Sequence, residues 1–286
     1  MSFALEVLAV RGPVLVTDPG RPGLASIGVG PSGPADRGAY AAANRLLGND
    51  PSAPALEVTM GGLVVRADRG LWIAVCGAEG DVVVDGTEHP VGIALPVRDG
   101  STVEIATPRR GARSYLAVRG GLDVAPVLGS AAYDTLGEVG PRPLRAGDRL
   151  AVGPGGAPLP GVDSPVPPHV PTEPVVLRVV RGPRDDALED PEALIGTRWT
   201  VAPDSDRVGV RLDGPPLAAA GERVGSGESE GVLRGAVQLP PSGLPVVFGV
   251  DHPVTGGYPV VAVVVDADAD VLGQLRPGEQ VRLAWA

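Results

Sequence analysis

The sequence predicts a mainly β protein made of two related β halves with a few short helices. Three observations lead there. Aromatic residues are only 3% of the chain, while 42 Gly and 32 Pro punctuate runs of Val, Leu and Ala, a composition of short strands and tight turns rather than long helices. Strand-like apolar runs recur along the whole length, and an apolar fraction of 43% sets the chain apart from a disordered Gly/Pro-rich polymer. The two sides of a proline-rich stretch also echo each other. VLAVRGP (7–13) opens the first side and LRVVRGP (177–183) the second, and LRAGDRLAV (144–152) closes the first and LRPGEQVRL (275–283) the second. The expected boundaries are an N-terminal β half at 1–153, a connector at 154–174 that holds eight prolines, and a C-terminal β half at 175–286.

In order, 3–10 and 14–16 read as strands around RGP. Residues 17–38, rich in Gly and Pro yet carrying Asp18, Arg21, Ser32 and Asp36, form a long irregular segment of the kind a compact domain keeps for a use. A helix is predicted over 35–47, where Ala39, Ala42, Ala43, Leu46 and Leu47 recur at helical spacing and Gly48 caps the end. Asn44 falls beside its apolar face. Short β runs follow at 55–60, 62–67, 71–77, 81–86, 101–106 and 114–120, at the spacing of a sandwich or barrel. Glu57 interrupts an apolar run, and an inward carboxylate there needs an Arg partner. In the second half, strands at 198–203 and 208–214 flank a DSDR turn, and 232–243 adds a strand and a Pro-Pro turn. A short helix is expected at 267–275, N-capped by Asp266 or Asp268, before a last strand, QVRLAWA.

The net charge of −10 and a pI near 4.8 offer no footprint for a phosphate backbone, so nucleic acid is excluded as a partner. All 24 basic residues are Arg, which excludes a biotinyl-lysine, a Schiff-base lysine and a Walker A lysine in this chain. The single Cys76 sits in an apolar strand and reads as a buried, inert thiol. The three histidines (His89, His169, His252) are far apart, and no zinc motif occurs, so no metal site is expected. With no signal segment and no long apolar run, the protein is expected to be cytoplasmic and off the membrane.

The densest chemistry lies in DHPVTGGYP (251–259), a loop between the strand-like runs 244–250 and 260–268. Asp251 and His252 supply a carboxylate and an imidazole, Thr255 a hydroxyl, and Gly256-Gly257 a backbone that a ligand can approach without Cβ interference. Tyr258 and Pro259 close it. The structural alternative is a hairpin loop in which the glycines supply positive φ and Tyr258 packs. Together with Asp18, Arg21, Ser32, Asp36, Asn44, Ser205, Arg207, Arg211, Ser229 and Gln238, these residues amount to a polar site for a small molecule. The arginines suit a carboxylate or phosphate.

The ordered segments GRPGLASIGVGPSGPAD, AAANRLLGND, APALEVTMGG, RSYLAVRGG with VLGS, SDRVGVRL, RGAVQLPPSGLP and TGGYP resemble the biotin-dependent carboxyltransferase-like family. Members of that family are also called allophanate hydrolase subunit 2, the C subunit of 5-oxoprolinase and, in sporulation, the antagonist of a histidine-kinase inhibitor. The resemblance runs from about residue 7 to 283. It implies a cyclophilin-like β-barrel architecture and one component of a hetero-oligomer, which works with homologues of the B and A subunits of 5-oxoprolinase to open 5-oxoproline to glutamate with ATP. The alternatives it implies are a carboxyltransferase using carboxybiotin carried by another chain, as in urea carboxylase, and a non-catalytic module that binds the B-subunit or kinase-inhibitor homologue. In the first reading Arg21, Arg207 or Arg211 holds the substrate carboxylate or an acyl phosphate. Asp251, His252 and Asp18 are the catalytic candidates, and Ser32, Asp36, Asn44, Ser205, Gln238, Thr255, Gly256, Gly257 and Tyr258 bind substrate. The chain departs from the family pattern at Thr17, Asp206, Val208, Val210, Pro253 and Val254, which stand where Gln, Asn, Met, Tyr, Gln and Thr are common, so several amide and hydroxyl groups are lost.

Overall fold

The computed structural model describes residues 3–155, 158–161, 165–168, 170, 174–220 and 228–286. Its contacts divide the chain into two compact units. The division is not linear in sequence. Pro22–Ala35 and Thr135–Gly137, which the sequence reading places in the N-terminal half, belong to the second unit, and the first unit runs on to Val170. Much of the expected connector, His169 included, lies outside the described residues.

The first unit carries β1 (Phe3–Val10), β2 (Val14–Thr17), β3 (Ala55–Thr59), β4 (Leu63–Ala67), β5 (Leu71–Glu79), β6 (Asp81–Val84), β7 (Thr87–Pro90), β8 (Ala94–Val97), β9 (Thr102–Ile105), β10 (Arg110–Val118) and β11 (Arg149–Ala151). They form a six-stranded sheet, β11-β1-β4-β9-β6-β7, and a five-stranded one, β2-β3-β10-β5-β8. β7 and β8 escape a reading based on hydrophobic runs, because TEHP and ALPV carry too little apolar alternation to signal a strand. Val7, Leu63, Val65 and Val103 of one sheet share a core with Val58, Ile73, Val75, Leu116 and Val118 of the other.

Strand period explains what the opposite face of β10 does. Leu116 and Val118 enter the inter-sheet core, while Tyr115 and Ala117 point to α1 (Arg37–Leu46). Small residues there, Ala55, Ala74, Cys76 and Ala117, let the helix lie close. Asp36 is the N-cap, its carboxylate accepting from Ala39 N at 2.8 Å. At the other end Gly48, at φ 63°, is the left-handed residue after the C-cap. Gly48 N donates to Arg45 O and Asn49 N to Asn44 O, a Schellman closure.

The second unit carries β12 (Val175–Arg181), α2 (Pro191–Gly196), β13 (Arg198–Val201), β14 (Gly209–Asp213), β15 (Glu230–Gly231), β16 (Ala236–Gln238), β17 (Val246–Phe248), β18 (Thr255–Gly256), β19 (Val260–Val264), α3 (Asp266–Ala269) and β20 (Gln280–Trp285). Seven of these strands close a barrel, β12-β19-β16-β17-β14-β13-β20, around Leu177, Trp199, Leu212, Val237, Val247, Val261 and Leu283. Closure removes the exposed edges of an open sheet. The expected final helix is a short α3 followed by a 3-10 turn, Asp270–Gln274. Its N-cap is Val265 with no side-chain bond. Asp268 instead accepts from Arg178 N, Nε and Nη2 at 2.8, 3.0 and 2.7 Å, a stronger use of the carboxylate than capping one turn.

The echoed ends meet in both units, but with opposite polarity. β1 pairs antiparallel with β11, whereas β12 pairs parallel with β20. The two halves therefore share which strands meet and differ in how the chain returns. Among the described residues no helix is long and apolar enough to cross a membrane.

Candidate functional site

The loop at 251–259 leaves β17 and enters β19, and both strands pair with β16, so its ends are held by the barrel wall. Asp251, only 1% exposed, is its most constrained residue. The Arg207 guanidinium grips it as a fork, Nε to Oδ2 at 2.7 Å and Nη2 to Oδ1 at 3.1 Å. Ser32 Oγ donates to Oδ1 at 2.7 Å, and Thr135 donates twice to Oδ2, from N at 2.9 Å and Oγ1 at 2.7 Å. Arg207 Nη2 also donates to Gly33 O at 2.8 Å, and Asp251 N to Arg207 O at 3.1 Å. Burial alone would raise the Asp251 pKa. The Arg207 charge and the hydrogen bonds from Arg207, Thr135 and Ser32 outweigh it and hold the carboxyl below its ordinary value. A carboxylate with donors on both oxygens and a lowered pKa is an anchor and a weak proton acceptor near neutral pH.

Beyond Asp251 the loop changes character. His252 is 7% exposed, its ring tilted against Phe248 with centroids 6.2 Å apart. Nδ1 lies 2.7 Å from Pro253 O. A carbonyl only accepts, so Nδ1 carries a proton, and in that tautomer Nε2 is the ring's acceptor. Gln238 Nε2 donates to Tyr258 O at 3.1 Å. Gly256 pairs with Glu230 in the small β15–β18 ribbon, and a Cβ on it would stand 2.6 Å from Gln238 Nε2. Neither Gly256 nor Gly257 has a positive φ, so the hairpin explanation of the pair fails and close approach is the reason for Gly at 256. Thr255 and Gly257 are exposed, and Tyr258 is 42% exposed.

The other sequence candidates do not join this group. Asp18 is a second anchor, accepting from Gly20 N at 2.9 Å, Ala131 N at 2.6 Å, Ala132 N and Ser130 Oγ. Arg21 is buried beside it, Nη2 donating to Ala132 O and Nε to Val127 O, with Nη1 unpartnered. Asp36 caps α1, and its N donates to Tyr115 Oη at 2.7 Å. Asn44 ties α1 to Ala53 O and to Asn49. Each of these side chains is buried and bonded within its own unit. Ser205 closes the turn before β14 by accepting from Arg211 N at 3.0 Å. Arg211 is exposed and paired with Asp204 at 3.1 Å, beside a depression of about 240 Å³ that Ser242 and Pro245 also line. Ser229 is exposed. Glu57 does have its arginine: Arg113 Nε is 3.4 Å away and Tyr115 Oη donates to it at 2.8 Å.

Sequence reasoning missed Thr135 and Arg234. Thr135 had no signal beyond its place in the segment after VLGS. Arg234 Nη2 donates to Ala35 O at 2.6 Å, Ala269 O at 3.0 Å and Asp270 Oδ1 at 2.9 Å, a clamp hidden in a run that reads as strand. Among the described residues no group of His, Cys, Asp and Glu is placed to hold a metal ion.

Fold and loop together define a mainly β protein with a closed barrel that presents a polar, glycine-containing loop. By its match to the family model for the carboxyltransferase domain, subdomain A and B, over residues 27–285, the chain belongs to that family. It is 35% identical to the C subunit of Escherichia coli 5-oxoprolinase over 97% of this chain and 89% of that protein. Against the urea amidolyase of Saccharomyces cerevisiae it is 34% identical over 98% of this chain but only 16% of that protein. Among solved structures, TTHA0988 superposes with a TM-score of 0.89 at 38% identity, covering 99% of this chain and 56% of that one. The Kluyveromyces lactis urea carboxylase gives 0.88 at 31% identity, covering 99% of this chain and 27% of that one.

Proposed function

We propose that this chain is the C component of an ATP-dependent 5-oxoprolinase, acting in the cytoplasm with homologues of the B and A subunits to open the lactam of 5-oxoproline to glutamate. The observation that carries this reading is the matched extent. The chain and its Escherichia coli relative align over nearly the whole of both, whereas the urea amidolyases contain its counterpart as a small part of a far longer protein. The chain also matches the C subunit of Haemophilus influenzae 5-oxoprolinase at 31% identity over 97% of its length.

In this reading the loop at 251–259 meets the ligand through the groups that have no side-chain commitment. His252 Nε2 offers a proton acceptor, and Thr255 and Tyr258 offer hydroxyls at the rim. The residues of this chain do not fit a P-loop phosphate cradle, since the sequence has no Lys, and ATP is assigned to the complex as a whole. The lack of Lys likewise means that a carboxyltransferase role would need biotin carried by another chain. The shared fold with urea carboxylase keeps that as the second reading.

The test is reconstitution. The purified chain mixed with its B and A partners should release glutamate from 5-oxoproline in proportion to ATP hydrolysed, and omission of this chain should abolish release. A full mixture that makes no glutamate overturns the proposal. Biotin-dependent carboxylation by the same mixture would establish the second reading instead.

A further inference from the structure

Asp251 stands in a position that invites a catalytic role, and its surroundings argue for a different one. Its partners come from three places far apart in the chain: Ser32 in Pro22–Ala35, Thr135 in Thr135–Gly137, and Arg207 ahead of β14, which also donates to Gly33 O. The two segments from early in the sequence have almost no secondary structure of their own, one 3-10 turn at Ala25–Ile27. Ser32 sits at φ 51° and Gly33 at φ 110°, so this bend is held in a left-handed conformation that a free Ser seldom adopts. Something must hold it, and the bonds from Ser32 Oγ to Asp251 and from Arg207 to Gly33 O do so.

We propose that Asp251 is a positioning residue: with Arg207, Ser32 and Thr135 it forms a latch that fixes Pro22–Ala35 and the 251–259 loop, and it takes no proton in the reaction. The latch places His252, Thr255 and Tyr258, which follow Asp251 directly in the chain. The part of this inference that concerns turnover rests on the 5-oxoprolinase reading, and the part that concerns the latch does not.

Thr135→Val removes one hydroxyl donor to Asp251 and leaves the Thr135 N–H donor and the carboxylate in place. Thr135→Ser is the conservative control. Amide hydrogen exchange on the isolated chain should show faster exchange in 22–35 and 251–259 for Thr135→Val, by about tenfold for the loss of one bond to a charged group, with β12, β19 and β20 unchanged. Thr135→Ser should restore wild-type exchange. In the reconstituted complex Thr135→Val should raise KM several-fold more than it lowers kcat. Asp251→Asn should keep the shape of the pH profile, because no titrating catalytic group is lost. The inference is overturned if Thr135→Val leaves exchange in both segments unchanged, or if Asp251→Asn removes the acidic limb of the pH profile while exchange stays at the wild-type level. If the wild-type complex releases no glutamate, the functional reading falls and the exchange measurement still decides the latch.

Discussion

Replacing Asp251 by Ala removes the acceptor of every bond that converges on it and leaves Arg207, 6% exposed, charged and without its carboxylate in the protein interior. Removing one member of a buried, hydrogen-bonded pair costs about 3–5 kcal/mol, because the remaining charge stays desolvated. A domain's whole stability is about 5–15 kcal/mol, so the loss is a large part of what the second unit has. The structure also says how to recover it. Arg207→Met in the same chain removes the stranded charge, and the double variant should regain a substantial part of the loss relative to Asp251→Ala alone. Urea unfolding followed by tryptophan fluorescence is the assay, since Trp199 is wholly buried in the barrel. Acid adds a second axis. The Asp251 carboxyl is lowered in the folded state, so its stabilisation is present above the unfolded value near 3.8 and is lost as pH falls below it through the folded value. The gap between wild type and Asp251→Ala should therefore narrow in acid. A loss below about 1 kcal/mol at pH 7, or a double variant no better than the additive sum, would refute the argument from the buried pair.

Other outcomes follow from the packing of the two units. Burial pushes the Cys76 thiol up to about 12, so iodoacetamide should leave the native protein unmodified at pH 8 and label it fully in denaturant; rapid native labelling would show the strand open. Tyr115→Phe deletes the hydroxyl that accepts from Asp36 N and donates to Glu57, and should cost about 1–3 kcal/mol in urea unfolding. Gly256→Ala drives a Cβ against Gln238 Nε2, breaking its bond to Tyr258 O at a cost of about 1–3 kcal/mol, visible as lowered thermal stability. A fragment starting at residue 175 lacks Ser32, Gly33 and Thr135, so it should unfold at lower urea than the second unit does in the full chain.

The strands that show in the sequence are those whose side chains pack on one or two apolar cores. β1, β5, β10 and β19 announce themselves through Val, Leu and Ile, and α1 through its alanine face and Gly48. β7 and β8 stay hidden because Thr87–Pro90 is largely exposed and Ala94–Val97 contains Pro96. Which unit a residue belongs to is less legible still. Pro22–Ala35 joins the second unit through hydrogen bonds and not through an apolar stripe, and no periodicity records a Ser32 to Asp251 bond across 219 positions. The opposite polarity of the echoed strands is hidden for a related reason, since a strand's side-chain alternation is the same in parallel and antiparallel pairing.

Residue type points to polar loops, and hydrogen bonding separates the groups within them, for a physical reason. A carboxylate in a polar loop can serve as a base or as the hub that a loop without secondary structure needs for its backbone. Asp18 and Asp251 are both hubs: each sits just beyond a strand end and collects donors from a segment more than a hundred residues away in sequence. Ser, Thr and backbone N–H donors reach both oxygens of each, and that satisfaction is what makes burial tolerable. His252 Nε2 and the hydroxyls of Thr255 and Tyr258, which the Asp251 hub does not use, lie one to seven residues after it. In the proposed function the chemistry of the loop therefore belongs to the residues one to seven positions past Asp251.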